Sequence, residues 1–271
     1  MSRIPILAAA SAVVASALVF AGPAVGKVII DAFGWRQLFV AFIVFGAVAC
    51  TWLGTRQPET LAPENRRPLS FRSLWDALLE VCSHRVILVS TLVQTLILAS
   101  LFGSISSIQQ IFADTFGVTD TFPMWFACIA LIAATANFVN ARLVVRLGMR
   151  YLITMALGAQ VIVSAVFATM SALGLWPEAL YFWAYFIWAT TVFFMTGLTM
   201  GNLNAMALEP VGHIAGMAAS LVSALSTVFA VVLAVPLGLS FDGTPVPLMV
   251  GVTVLSGIGF LAMQLVRRQP R

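Results

Sequence analysis

Eight stretches of nearly unbroken apolar sequence constrain this chain more than any motif does. They run from about Ile4 to Ala21, Gln37 to Leu53, Val86 to Phe112, Thr121 to Ala141, Tyr151 to Leu173, Ala179 to Leu203, Ile214 to Leu239 and Pro245 to Val266. A bilayer is crossed by a helix of about 20 such residues. A lone segment in lipid must satisfy its own backbone hydrogen bonds, so long runs rather than short alternating segments mean helices. Composition agrees: 9% of residues are charged and 61% hydrophobic, against roughly 25% charged in a soluble domain. The predicted fold class is all-α, a polytopic membrane helix bundle of about eight transmembrane helices.

The separators between runs carry turn chemistry or charge, as in Ala113-Asp-Thr-Phe-Gly117, Arg142 to Arg150, Gly174-Leu-Trp-Pro177, Asn204 to His213 and Phe241-Asp-Gly-Thr244. One polar segment is long, from Gly54 to Arg85, with two runs ahead of it and six behind. Its first part, Gln57 to Pro68, holds three prolines and cannot be a continuous helix. From Ser70 onward, Phe71, Leu74, Leu78 and Val81 recur at helical spacing, which predicts a short amphipathic helix lying on the membrane surface. The first run has two readings. With Arg3 ahead of it and small residues near Gly26 behind, it has the shape of a secretory signal. Extended to Ile30, with Lys27 near an interface, it is long enough to span. Trp35 and Trp52 bracket the second run as interfacial anchors.

Charge predicts the orientation. With Gly54 to Arg85 on the cytoplasmic side and the spans alternating, twelve of the fourteen basic residues fall inside, and only Lys27 and Arg36 fall outside. Both termini are then cytoplasmic, in a multi-pass protein of the inner (plasma) membrane. The net charge of +4 is thus topological, and it is too small and scattered for nucleic-acid binding.

Chemistry inside the spans is absent. Every Asp, Glu, Lys, Arg and His lies in a separator or at a span end, the nearest exceptions being Lys27, Glu209 and His213. A proton relay needs a titratable group that changes environment, and these spans carry none. His84 and His213 form no HExxH, there is no GxSxG or P-loop, and Cys50, Cys82 and Cys128 have no CxxC spacing. No catalytic residue, metal site, disulfide or cofactor is predicted, and the chain does not read as an enzyme.

What the spans do carry is neutral polarity. Ser100, Gly103, Ser104 and Ser107 share a face of the third run; Asn137 and Asn140 share one in the fourth, and Met195, Thr199 and Asn202 one in the sixth. The seventh run has the longest stripe: Gly212, Gly216, Ser220, Ser223 and Thr227. Close helix packing is the expected role of Gly212, Gly216 and Ser220, since small residues let backbones approach. Gln94, Asn137 and Asn202 carry amides too large for a packing seam and are candidates for a substrate cavity. Trp188, deep in the aromatic sixth run, is a fourth candidate, with lipid contact as its competing reading.

Several stretches resemble one family. Glu209-Pro-Val-Gly-His-Ile-Ala-Gly-Met-Ala-Ala-Ser220, followed by Phe241-Asp-Gly-Thr-Pro-Val-Pro247, is similar to the eleventh span and last outer loop of the drug:proton antiporters of the major facilitator superfamily, in the bicyclomycin/chloramphenicol-resistance group. Asn140-Ala-Arg-Leu-Val-Val-Arg-Leu-Gly-Met-Arg150 resembles that group's loop between spans eight and nine, without the aspartate of the superfamily's basic loop motif. Gly22-Pro-Ala-Val-Gly26 resembles the antiporter motif at the outer end of span five, and Trp35-Arg-Gln-Leu-Phe39 the entry to span six.

The resemblance implies spans five to twelve only. Residues 1–53 would be the last two spans of the amino-terminal half-domain, 54–85 the cytoplasmic central loop, and 86–271 the six-helix carboxyl-terminal half-domain. Gly22, Pro23 and Gly26 would form a close-packed hinge between halves. Arg142, Arg146 and Arg150 would form a cytoplasmic clamp or membrane anchor, plain topogenic charge being the other reading. The family's acidic residue in its first span and its arginine in the fourth have no counterpart here. The implied partners are the lipid bilayer, an amphipathic drug-like small molecule, and protons only through the missing half. The expected function is therefore part of a proton-coupled exporter, inactive alone; the alternative is a non-transporting membrane fragment.

Overall fold

The structure is a computed structural model and describes residues 26, 28–56, 75, 79, 80 and 83–265. Of the amphipathic stretch expected from Ser70 to Val81 only Trp75, Leu79 and Glu80 are described, and the first run, Ile4 to Ala21, lies outside the described residues. No β-strand occurs among those described. The chain divides into two compact units, Met1–Ser73 and Leu74–Arg271.

In the first unit a helical stretch at 28–33 is closed by Gly34, whose φ of +87° suits a residue without a Cβ. Its amide donates to the Ile30 carbonyl at 2.9 Å. Helix α1 (Arg36–Arg56) follows. At its two ends the guanidinium of Arg36 lies over the Trp35 ring at 5.0 Å and that of Arg56 over Trp52 at 5.4 Å. Cationic heads paired with interfacial indoles mark the ends of a span.

The second unit is built from α2 (Arg85–Gln110, continued by a π-helical turn, Ile111–Thr115), α3 (Phe122–Leu147), α4 (Met149–Ala172), α5 (Glu178–Leu208), α6 (Ala215–Leu239) and α7 (Val246–Gln264). Six continuous helical segments in the described residues are long and apolar enough to cross a membrane. One of them, Glu178–Leu239, contains both α5 and α6. A helix of its 62 residues would be about 90 Å long, roughly three times the hydrocarbon thickness. It is bent into two passes at the 3₁₀ turn Glu209–Ile214, where Val211 leaves helical geometry.

Helix α2 is the most enclosed of the bundle and packs on α5, α6 and α7; α5 also holds α3 and α4, and α4 pairs with α7. One end of the interior is aromatic, with Phe112, Tyr185 and Trp188 fully enclosed. Another cluster joins Val93, Ile97, Ile153, Leu157, Leu203 and Met263. Lipid tails are as apolar as leucine, so association rests on fit and on hydrogen bonds rather than on hydrophobic burial. The fit is made by glycines: a Cβ on Gly197 would lie 3.1 Å from Cβ of Ala136, one on Gly103 3.2 Å from Cβ of Leu237, and one on Gly158 3.2 Å from the Phe260 ring.

The charges of the second unit separate by end. Arg85, Arg142, Arg146 and Arg150 lie at the end where α2, α4 and α6 begin, with Glu80 and Glu209. Asp114, Asp120, Glu178 and Asp242 lie at the other, which has no basic residue among those described. At the acidic end, the Thr115 hydroxyl on the π turn donates to the Gly243 carbonyl at 2.8 Å, joining α2 to the α6–α7 loop.

Candidate functional site

The four residues expected to line a cavity do not form one surface. Trp188 is completely enclosed, its indole N–H donating to Ser164 Oγ at 2.9 Å and its ring stacked on Tyr185 at 5.7 Å. Its enclosure within the second unit follows from α5 being held by α2, α3 and α4. Ser164 also accepts from Gln160 Nε2 at 2.9 Å, so α4 and α5 share a buried polar junction. Gln94 is 3% exposed, with Oε1 unpartnered among the described residues. Asn202 is buried between helices, its Nδ2 donating to Asn140 Oδ1 at 2.7 Å and to the Leu198 carbonyl at 3.0 Å. Asn137 alone is exposed, where its amide reaches no further than the Ala134 carbonyl of its own helix.

The small-residue stripes also exchange roles. Ser100, Gly103, Ser104 and Ser107 are all buried in the α2 seams. Gly212, Gly216 and Ser220 are exposed: nothing lies within 4 Å of a Cβ placed on either glycine, and the Ser220 hydroxyl donates only to the Gly216 carbonyl. The buried ridge of α6 is Ala218, Val222, Ser226, Ala230 and Ala234, one step round the helix. Within this unit, then, the stripe of Gly212, Gly216 and Ser220 is not a packing seam. Gly22 and Pro23 lie outside the described residues. A Cβ on Gly26 would be in ordinary contact with Leu38, at 3.8 Å.

Arg142 and Arg146 are exposed near the end of α3. Arg150 folds back instead, donating from Nη2 to the Met263 carbonyl in the last turn of α7 at 3.4 Å. A guanidinium there meets the negative end of the helix dipole.

Sequence reasoning missed a groove between α3 and α5, of about 340 Å³, lined by Ile132, Phe186, Ile187, Thr190, Thr191 and Phe194. Thr190 and Thr191 donate their hydroxyl protons to the Phe186 and Trp188 carbonyls of their own helix, both at 2.7 Å. Their oxygens keep lone pairs that can accept a hydrogen bond. The groove holds no charge; it can take a flat apolar group and offer two acceptors. The only early signal was Thr190-Thr191 amid aromatics, which in an apolar run reads equally as helix filler. Among the described residues, no group of three His, Cys, Asp or Glu side chains could hold a metal.

Antiparallel apolar helices, charge confined to the two ends and an uncharged groove between helices define a multi-pass helical membrane protein. Comparison with known families is specific: a model described as the Major Facilitator Superfamily matches residues 5–234. The chain belongs to that superfamily. It is 26% identical over 207 residues to a protein of Haemophilus influenzae named bicyclomycin resistance protein homolog, covering 75% of this chain and 50% of that one. It is 24% identical over 229 residues to the uncharacterized MFS-type transporter YdgK of Bacillus subtilis, covering 84% of this chain and 56% of that one. The chain thus spans about half the length of these curated relatives. No solved structure matches.

Proposed function

We propose that this chain supplies the substrate-facing part of a proton-coupled exporter of amphipathic small molecules. On this reading residues 86–271 are a six-helix half-domain, 1–53 the last two spans of the other half, and 54–85 the loop between them. The observation that carries it is a row of exposed small and hydroxyl residues on α6 together with two half-buried threonines lining a groove on α5. Gly216, Ser220, Ser223 and Thr227 are exposed on α6, and Thr190 and Thr191 line the groove on α5. Hydroxyls facing lipid tails gain nothing, whereas facing water, a ligand or another helix they are solvated or bonded. The name of the Haemophilus relative supports a drug-like substrate.

The basic end is then cytoplasmic, in the inner membrane, by the distribution of arginine. Proton coupling falls to groups outside the second unit, because the charges described in that unit lie at its two ends. Cells producing only these 271 residues are therefore expected to show no ethidium efflux that an uncoupler abolishes, while the purified chain binds the dye. Uncoupler-sensitive efflux contradicts the division of roles. A folded chain that binds no dye favours the alternative, a membrane fragment without transport.

A further inference from the structure

We propose that the α3–α5 groove selects flat aromatic ligands that carry N–H donors, and that Thr190 and Thr191 make the selection. This rests on the reading of that groove as the place where substrate meets the second unit, and it adds the polarity of the recognition.

A threonine hydroxyl has one proton to give and lone pairs to receive with. In Thr190 and Thr191 the proton is already committed, since the hydroxyls donate to the Phe186 and Trp188 carbonyls of their own helix at 2.7 Å. The other side chains lining the groove, Ile132, Phe186, Ile187 and Phe194, are hydrocarbon. The side chains of the groove thus offer acceptors and no free donor. Among the described residues no group donates to either threonine oxygen. A ligand carbonyl entering the groove gives up its bond to water and finds no partner, whereas an N–H finds one.

The same bond is made inside the bundle. The indole N–H of Trp188 donates to Ser164 Oγ at 2.9 Å, an aromatic N–H held by a hydroxyl oxygen of the neighbouring helix. Thr196 and Thr199, further along α5, also donate to carbonyls of their own helix, but they are buried. Thr190 and Thr191 are half-buried and line an open groove, so their oxygens are what a ligand meets. Charge takes no part in the choice. Along the two helices the nearest charged residues are Glu178, about 18 Å from Thr190, and Arg142, about 15 Å from Ile132. A charged ligand gains no counter-ion at that distance, and discrimination falls to the donors.

Ethidium carries an amino group at each end of its ring system, and the phenanthridinium of the same outline without those groups keeps the charge and the shape. Their dissociation constants for the purified full chain, from ethidium polarisation and its displacement by the des-amino compound, test the proposal. Ethidium should bind the unsubstituted chain about three- to tenfold more tightly than the des-amino compound. Thr190→Val combined with Thr191→Val removes both acceptors and nearly keeps the outline of the groove. It should bring the two ligands within about twofold of each other by weakening ethidium alone. Retained binding of the des-amino compound reports that this variant is folded, and Thr190→Ser with Thr191→Ser should restore the preference. A preference unchanged in the valine variant, or absent from the unsubstituted chain, overturns the proposal; the groove reading survives that result if Thr190→Trp weakens both ligands alike. Thr190→Trp without effect on either ligand overturns the groove reading and the proposal with it.

Discussion

Asn202 on α5 and Asn140 on α3 join through a 2.7 Å amide–amide hydrogen bond, and it lies on the seam where Gly197 meets Ala136. The glycine lets the two helices approach, and the asparagines fix their register. Within a membrane such a bond contributes about 0.6 to 2 kcal/mol. Asn202→Leu should therefore lower stability in detergent by about that much, measured as unfolding in a denaturing detergent. Asn140→Leu alone should cost a similar amount, and the double variant little more than either, because both lose the same bond.

A second junction depends on an absent side chain. A Cβ on Gly251 of α7 would overlap the Leu237 side chain of α6, which also rests against Gly103 of α2. Leu237 follows Pro236, inside the helix, and so sits where α6 has already lost a backbone donor. Gly251→Ala is expected to destabilise by about 1 to 3 kcal/mol through overpacking. Leu237→Ala in the same chain should recover much of that loss, since the notch is then empty. Thermal unfolding of the four combinations measures the coupling.

The loop at the acidic end has its own pH dependence. Asp242 accepts from the Thr244 hydroxyl at 2.7 Å and the Thr244 amide at 3.0 Å. The hydroxyl first, then the amide, hold its carboxyl below the usual carboxylate range. A depressed acid contributes above its unfolded pKa and is lost as pH falls through the folded one. The turn should thus be fully formed at neutral pH and open only in acid, below the ordinary range for aspartate. Exchange of the Thr244 amide should show this step, and Asp242→Asn should remove it.

Orientation is open to a direct check. Val145, near the end of α3, is 85% exposed and flanked by Arg142 and Arg146. Val145→Cys should react with a membrane-impermeant thiol reagent in inside-out vesicles and not in intact cells, provided the other reactive thiols are replaced. Reaction in intact cells would place the arginine-rich end outside.

Element positions were largely legible, because a span is set by the length of an apolar run. The run read as Val86 to Phe112 became α2 with its π turn, and Tyr151 to Leu173 became α4. Charge, however, ends a span without ending a helix. The separator Arg142 to Arg150 is helix on both sides of Gly148 alone, whose φ of +80° makes the turn, since long basic side chains reach water from a helix that continues. What was not legible is which way a residue faces. In a soluble helix the apolar stripe marks the inside; in lipid both sides are apolar, so Trp188, Ile187 and Thr190 looked alike. Only the bundle separates enclosed Trp188 from the groove beside it. The stripes of α2 and α6 were equally indistinguishable in sequence, although one is buried and the other open.

On the proposed function, substrate meets the second unit at the α3–α5 groove rather than at the buried amides. Ethidium binding by fluorescence polarisation to purified, folded variants tests it most directly. Thr190→Trp fills the groove and should weaken binding by about tenfold or more, the cost of losing about 1.4 kcal/mol of contact. Gln94→Met keeps the volume of an enclosed side chain and should leave the affinity within about twofold, about 0.4 kcal/mol. Unchanged binding in Thr190→Trp together with a large loss in Gln94→Met would contradict the assignment.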